Sequence, residues 1–314
     1  MPLPPFAHAA DLLGVASDVT AHDKRVALRA ALSAGTLVLP GATDAMGARL
    51  VEQAGFSAGY LTGAGLANAT YGLPDIGLVS LTEVAAHVDR VANAVRLPLV
   101  VDADTGYGAA VSVMRTVQVL ERAGAAGIQL EDQEMPKRCG HFNSHALIPA
   151  EHMAAKIVAA GQARQDEATV IVARTDARSV HGIDEAIARA RLYAEAGADV
   201  LFVEAPRTRE ELALVGRELA GTPLLVNVVE GGKTPQLSLQ EYEELGFTVV
   251  LFANYLMRSM MSAGRDALAH LAATGETGSR VDRMASWQER QELFNLPRFT
   301  EAEAWFDGLG QGAP

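Results

Sequence analysis

The sequence predicts a (β/α)8 barrel: eight parallel strands closed into a cylinder, helices wrapped around it, and a helical extension at the C-terminus. Two observations carry this. Short runs rich in Val, Leu and Ile alternate with Ala-rich segments whose apolar residues recur at helical spacing, the pattern of a parallel sheet buried on both faces. A degenerate repeat (EQAGFSAGYL, ERAGAAGIQL, EAGADVLFV, ELGFTVVLF) ends a helix on glycine and starts a strand within about three residues. Glycine adopts the left-handed conformation cheaply, which permits so short a turn. Eight such units specify a barrel better than an open doubly wound sheet.

Along the chain, the apolar runs place strands at 36–39, 59–62, 99–102, 127–131, 169–174, 200–204, 224–227 and 249–252. The helical periodicity falls at 45–53, 81–94, 111–123, 150–163, 183–196, 210–219, 239–245 and 255–273. No linker or low-complexity run interrupts them, so residues 1–275 read as one barrel. Residues 276–314 are extra to it and read as one or two amphipathic helices with Pro297 between them, packing on the barrel or on a neighbouring subunit.

At 314 residues, 49% of them hydrophobic, the chain can bury a large core. A net charge of -12 supplies no basic field for nucleic acid or an anionic membrane, so an anionic substrate must be met by local Arg, Lys or a metal. No charged leader precedes an apolar core at the N-terminus and no run of about 18 apolar residues occurs, so a soluble, cytoplasmic protein is expected. The single cysteine, Cys139, excludes an internal disulfide and a multi-cysteine zinc site.

A barrel carries its chemistry at the C-terminal ends of its strands. Here those ends read GYLTGAG, VVDADTGYG, IQLEDQ, VARTDA, FVEAP, VNVVEGG and LFANYLMR. Asp102 and Asp104, two apart in an extended segment, can face one mouth, and Glu131 and Asp132 follow on the next strand. Four acids together repel one another unless a hard cation is present, and magnesium is the economical one; the bland alternative is solvated loop acids or helix caps. PKRCGH (136–141) sits in a loop of about 18 residues, long for a barrel, and long ordered loops are often lids. Lys137, Arg138 and His141 would favour the thiolate of Cys139, although a lone cysteine in such a chain is more often inert. Arg174, Glu204 and Asn227 end strands and Arg258 follows the eighth; two arginines opposite a metal can clamp a substrate bearing two carboxylates, and singly each can be a structural ion-pair partner. TGAGLA lacks the helix and the acidic residue of a dinucleotide site, so its amides are expected to hold a carboxylate.

YLTGAG, GLPDIG, VDADTGYG, EDQ, PKRCGH, ARTDA and NVVEGGKTP occur in order over about residues 25–295. With these motifs the sequence resembles the methylisocitrate lyase and 2,3-dimethylmalate lyase branch of the isocitrate lyase and phosphoenolpyruvate mutase superfamily. KRCGH is specific to its carbon–carbon lyases. The resemblance implies a Mg2+ site, with Mn2+ as a substitute, at Asp102 and Asp104, reached through water by Asp75 and Glu131. It implies Cys139 as catalytic acid on a closing loop with Lys137 and His141, and Tyr60 as a proposed base. Thr62, Gly63, Ala64, Gly140, Arg174, Glu204, Asn227 and Arg258 match substrate-binding positions. It further implies a tetramer of dimers that swap the last barrel helix, and retro-aldol cleavage of a 2-hydroxy carboxylic acid to a 2-keto acid such as pyruvate and a carboxylic acid.

The substrate stays open. Within the resemblance, Phe142 where methylisocitrate lyases usually carry Arg after KRCGH, the EGGKTP loop, and the replacement near Trp287 of a C-terminal arginine that methylisocitrate lyases use for a substrate carboxylate favour a dicarboxylate such as 2,3-dimethylmalate or an alkylmalate; Arg138 and YGLPDIG favour 2-methylisocitrate. Oxaloacetate hydrolysis or decarboxylation is the rival within the superfamily, and a non-catalytic binding barrel the rival from another class.

Overall fold

The computed structural model describes residues 19–137 and 146–310. Its eight strands form one closed parallel barrel in sequential order: β1 (Leu37–Ala42), β2 (Gly59–Leu61), β3 (Leu99–Asp102), β4 (Gly127–Glu131), β5 (Val170–Thr175), β6 (Val200–Val203), β7 (Leu224–Asn227) and β8 (Val249–Phe252). The expected architecture is present. The repeat glycines, Gly55, Gly124, Gly197 and Gly246, have φ of 83°, 100°, 99° and 91°, so each helix-to-strand turn uses the left-handed conformation that the repeat foretold.

One helix was not foreseen. α1 (Ala21–Ser33) precedes β1 and starts on a capping box in which Asp23 N donates to Thr20 Oγ1 (3.1 Å) and Thr20 N to Asp23 Oδ2 (2.7 Å). Its Leu28 packs into the barrel interior from the N-terminal end. The wrapping helices are α2 (Ala45–Gln53), α3 (Leu81–Ala92), α4 (Ala110–Arg122), α5 (Ala150–Ala163), α6 (Ile183–Glu195), α7 (Arg209–Glu218) and α8 (Leu239–Glu244), with unnumbered single turns at Gly63–Gly65 and Ala177–Val180. After β8 come α9 (Tyr255–Thr274), α10 (Trp287–Leu293) and α11 (Leu296–Gly310). Pro297 lies in the first turn of α11, where its missing donor costs nothing, rather than between the helices. α9 buries none of its residues against its own chain, and Arg49 on α2 donates to Leu293 O (3.1 Å). Among the described residues no helix is long and apolar enough to cross a membrane.

Alternate strand residues sort into two apolar bodies. Leu39, Val100, Val172, Leu225 and their inward neighbours fill the barrel, while Ile128, Leu130, Ala173 and Val226 face the helices. Each large side chain so buried contributes roughly 1.5–3 kcal/mol. The filling becomes polar toward the C-terminal end. Tyr60, Gln129, Phe202 and Leu251 come from the even strands, and Asp102, Arg174 and Asn227 from the odd ones; Glu131 and Glu204 lie above.

Candidate active site

Strand parity decides which strand-end residues meet. Tyr60, Thr62, Ala64, Asp75, Asp102, Glu131, Lys137, Arg174, Glu204 and Asn227 line one small cavity at the C-terminal mouth, with about 50 Å³ of free space, room for a few waters. Asp132, expected in the acid cluster, is not there. It is the next residue after Glu131 and so points outward, where it accepts from Thr175 Oγ1 (2.7 Å), Asp176 N (2.9 Å), Tyr193 Oη (2.8 Å) and Arg189 Nη1 (3.1 Å).

The remaining acids are crowded. Asp102 Oδ2 accepts from Gly63 N (3.2 Å), and its Oδ1 from Asp104 N (3.1 Å). The TGAG turn thus does hold a carboxylate, and it is the protein's own. A Cβ at residue 63 would lie 3.1 Å from Asp102 Oδ2 and 3.2 Å from Asp104 Oδ1, so a side chain there would press both carboxylates back by a few tenths of an ångström. Asp104 adopts φ 49°, the turn that brings its carboxylate back over the mouth. Among the described residues no set of three His, Cys, Asp or Glu side chains is assembled as a metal cage. Instead the Lys137 ammonium, buried, bridges Asp75 and Asp104, lying 2.8 Å from Asp104 Oδ1.

That single ammonium does not neutralise the cluster. Burial, against the pull of Lys137, raises the Asp104 pKa to about 6. Burial likewise pushes Glu131 well above the usual carboxylate range, despite Arg174 nearby, and Glu131 Oε1 accepts no hydrogen bond among the described residues. Burial would lower the Lys137 pKa, but the charges of Asp104, Asp102, Glu131 and Asp75 outweigh it and hold the lysine protonated. The donor set facing the mouth is all oxygen and over-supplied with negative charge, so it fits a hard divalent cation at Asp102 and Asp104.

Opposite stands Arg174. Its Nε and Nη2 are taken by Asp176 (3.0 and 2.8 Å), its Cζ lies 5.2 Å from the Phe202 ring centre, and Nη1 faces Glu204 Oε2 at 3.4 Å. The guanidinium therefore presents one nitrogen, not a free fork, to a ligand. Asn227 Nδ2 donates to Glu204 Oε2 (3.4 Å), and its Oδ1 is buried with no partner among the described residues. Tyr60 Oη donates to Gln129 Oε1 (3.0 Å), and burial followed by the charge of Asp102 pushes the phenol well above its ordinary pKa. The hydroxyl proton is thus given to Gln129, and the buried phenol is harder to ionise than one in water.

Arg258 does not join them. It lies half exposed outside the cavity, Nη1 donating to Glu230 O (2.8 Å) and pairing with its Oε2 (3.3 Å), so the expected clamp of two arginines is not formed within the chain. Cys139, Gly140, His141, Arg138 and Phe142 lie outside the described residues. Gln129, Asp176, Phe202 and Asn254, whose Oδ1 is also buried without a partner among the described residues, were missed. For Gln129 a signal existed: an amide inside a buried strand must find partners.

With this geometry in hand, similarity to known proteins gives it a context. Residues 28–272 match the phosphoenolpyruvate phosphomutase family. The chain is 44% identical, over 92% of its length and 93% of the other, to a probable 2-methylisocitrate lyase 2 of Corynebacterium glutamicum. It is 41% identical, over 85% and 92%, to the 2,3-dimethylmalate lyase of Eubacterium barkeri. A crystal structure of 2,3-dimethylmalate lyase, a PEP mutase/isocitrate lyase superfamily member, superposes with a TM-score of 0.84 at 37% identity, covering 91% of this chain and 95% of that one. A phosphonopyruvate hydrolase complexed with oxalate and Mg++ superposes at 0.80 and 32% identity, over 90% and 98%.

Proposed function

The chain belongs to the phosphoenolpyruvate mutase/isocitrate lyase superfamily and is a carbon–carbon lyase, and on that premise we propose that it cleaves a 2-hydroxy dicarboxylate of the 2,3-dimethylmalate type, or the tricarboxylate 2-methylisocitrate, to pyruvate and a carboxylic acid. The observation that carries this reading is the under-neutralised acid cluster of Asp102, Asp104 and Glu131 facing Arg174 across one barrel mouth.

Asp102 and Asp104 would hold magnesium, with Asp75 and Glu131 behind them. The ion supplies Lewis acidity toward a neighbouring hydroxyl and carboxylate. In the cleavage the 2-hydroxyl loses its proton to a base, its O–H electron pair becomes the carbonyl bond, and the broken C–C pair leaves on the departing fragment as an enolate. Arg174 Nη1 stabilises the developing charge, and Tyr60 serves as a hydrogen-bond donor. We assign protonation of the departing carbon to Cys139, on the strength of KRCGH, with Lys137 and His141 as its basic company. Thr62, Gly63, Ala64, Gly140, Glu204 and Asn227 shape the substrate seat.

We also assign α9 to an assembly of copies, a tetramer that exchanges this helix, acting in the cytoplasm. Met261, Leu268 and Leu271 on α9 stay exposed within one chain, and an apolar groove of about 350 Å³ runs between β1, α2 and the first turn of α9, beside Val38, Leu50, Phe56, Phe252, Tyr255 and Leu256. Light scattering tests it; a monomer at micromolar concentration would remove the exchange.

The function is tested by keto-acid release from 2,3-dimethylmalate, 2-methylisocitrate, isocitrate and oxaloacetate, with Mg2+ or EDTA. Pyruvate from one of the first two, abolished by EDTA, is expected. Turnover of oxaloacetate alone would replace the lyase by a hydrolase or decarboxylase.

A further inference from the structure

Gln129 is fully buried on β4, inside the barrel and one inward position below Glu131. Its carbonyl oxygen accepts the Tyr60 hydroxyl from β2 at 3.0 Å. Its amide nitrogen donates to Asp102 Oδ1 on β3 at 3.4 Å, a long contact, and the strand register sets Gln129 directly beside Asp102.

The two partners fix which way round the amide sits. A phenol offers a proton and a carboxylate only accepts one, so the oxygen must face Tyr60 and the nitrogen Asp102. Asp102 is then held on Oδ1 by Gln129 and Asp104 N and on Oδ2 by Gly63 N, which sets the plane of the carboxylate. An apolar side chain at residue 129 would leave the Tyr60 hydroxyl without its acceptor. A glutamate would bring a further negative charge against Asp102.

We propose that Gln129 is a positioning residue: through one amide it orients Asp102 for the cation and ties that orientation to Tyr60, making the floor and the cation site of the mouth one unit. This rests on the reading of Asp102 as a magnesium ligand. Partners behind a metal ligand typically contribute 10- to 100-fold in metal affinity, which sets the size of the effect.

Mn2+ binding, followed by the electron paramagnetic resonance of the free ion, tests this on the wild type, Gln129→Met, Tyr60→Phe and the double variant. Gln129→Met is expected to weaken Mn2+ about 10- to 100-fold with an unchanged circular dichroism spectrum. Tyr60→Phe should weaken it less, and the double variant no more than Gln129→Met alone, because both cut the same tie. Should Gln129→Met fail to fold, Gln129→Asn, which keeps the amide but cannot span the gap, carries the same expectation. Equal Mn2+ affinity in a folded Gln129 variant, or additive effects in the double variant, overturns the positioning role alone. A wild type that binds no Mn2+ overturns the magnesium reading and this inference with it.

Discussion

The two ends of the barrel treat charge in opposite ways. At the N-terminal end, α1 lays three cations on groups that want them. Lys24 Nζ donates to Ala92 O and Val95 O (2.7 and 2.6 Å), and Arg25 to Ala125 O, Glu121 O and Asp166 Oδ2 (3.1, 2.7 and 2.9 Å). Arg29 reaches Ala168 O (2.9 Å), Thr169 O (3.0 Å) and Asp199 Oδ1 (3.0 Å). At the C-terminal end, Asp75, Asp102, Asp104, Glu131 and Glu204 share Lys137 and Arg174, and buried acceptors on Glu131 and Asn227 go without partners among the described residues. One end is built for closure and the other stores unmet demand, which a cation and an anionic substrate can satisfy.

Substitutions at the two ends should therefore separate activity from stability. The largest effect is expected at the top. Asp102→Asn should reduce keto-acid release by about 1,000-fold or more, while the metal-free protein unfolds no earlier than wild type, because a crowded charge has been removed. A large drop in metal-free stability would break the contrast. Arg174→Lys keeps the charge but loses the planar edge seated on Asp176, and should lower kcat/KM by about 100-fold in steady-state kinetics.

Below it the effects turn structural. Arg25→Ala takes the side-chain donor from Ala125 O and one of several donors from Glu121 O and Asp166, costing about 1–3 kcal/mol in urea unfolding, with kcat unchanged where the protein is folded. A kinetic defect without a stability loss would show the lower end to be more than closure. The smallest effect is a pair of pH slopes. Burial would raise the Asp166 pKa, but bonds from Arg25, His22 and Ala168 N outweigh it and hold it at about 2. Its contribution is present above the unfolded value near 4 and is lost as pH falls toward 2. Asp104, raised to about 6, binds its proton more tightly when folded, so the metal-free protein should lose stability as pH rises from about 4 to 6. Asp166→Asn should flatten the first slope and Asp104→Asn the second, read from unfolding midpoints in EDTA.

Much of this was legible. The glycine repeat and apolar runs placed every strand within a few residues, and the polar strand ends named most of the mouth, because in a barrel topology alone carries those ends to one place. What failed had physical reasons. α1 was missed because its interior face is Lys24 and Arg25 as well as Leu28, so apolar periodicity is weak; the Thr20 and Asp23 cap was the readable sign. Asp132 was placed in the mouth because a strand's last residues look alike in sequence, although parity sends neighbours to opposite faces. Asp176 stands in the VARTDA strand end and Phe202 opens FVEAP, but nothing in those runs shows that the two side chains seat Arg174, and the exposure of Arg258 depends on where α9 goes after β8, which no local pattern fixes.

The claim beneath all of this is that the C-terminal mouth lacks positive charge and takes it up as a divalent cation. The thermal midpoint in millimolar Mg2+ against EDTA, compared between wild type and Asp102→Asn, tests it most directly. A magnesium-dependent rise in wild type that Asp102→Asn loses is the expected result; no rise in wild type, or an equal rise in both, would contradict it.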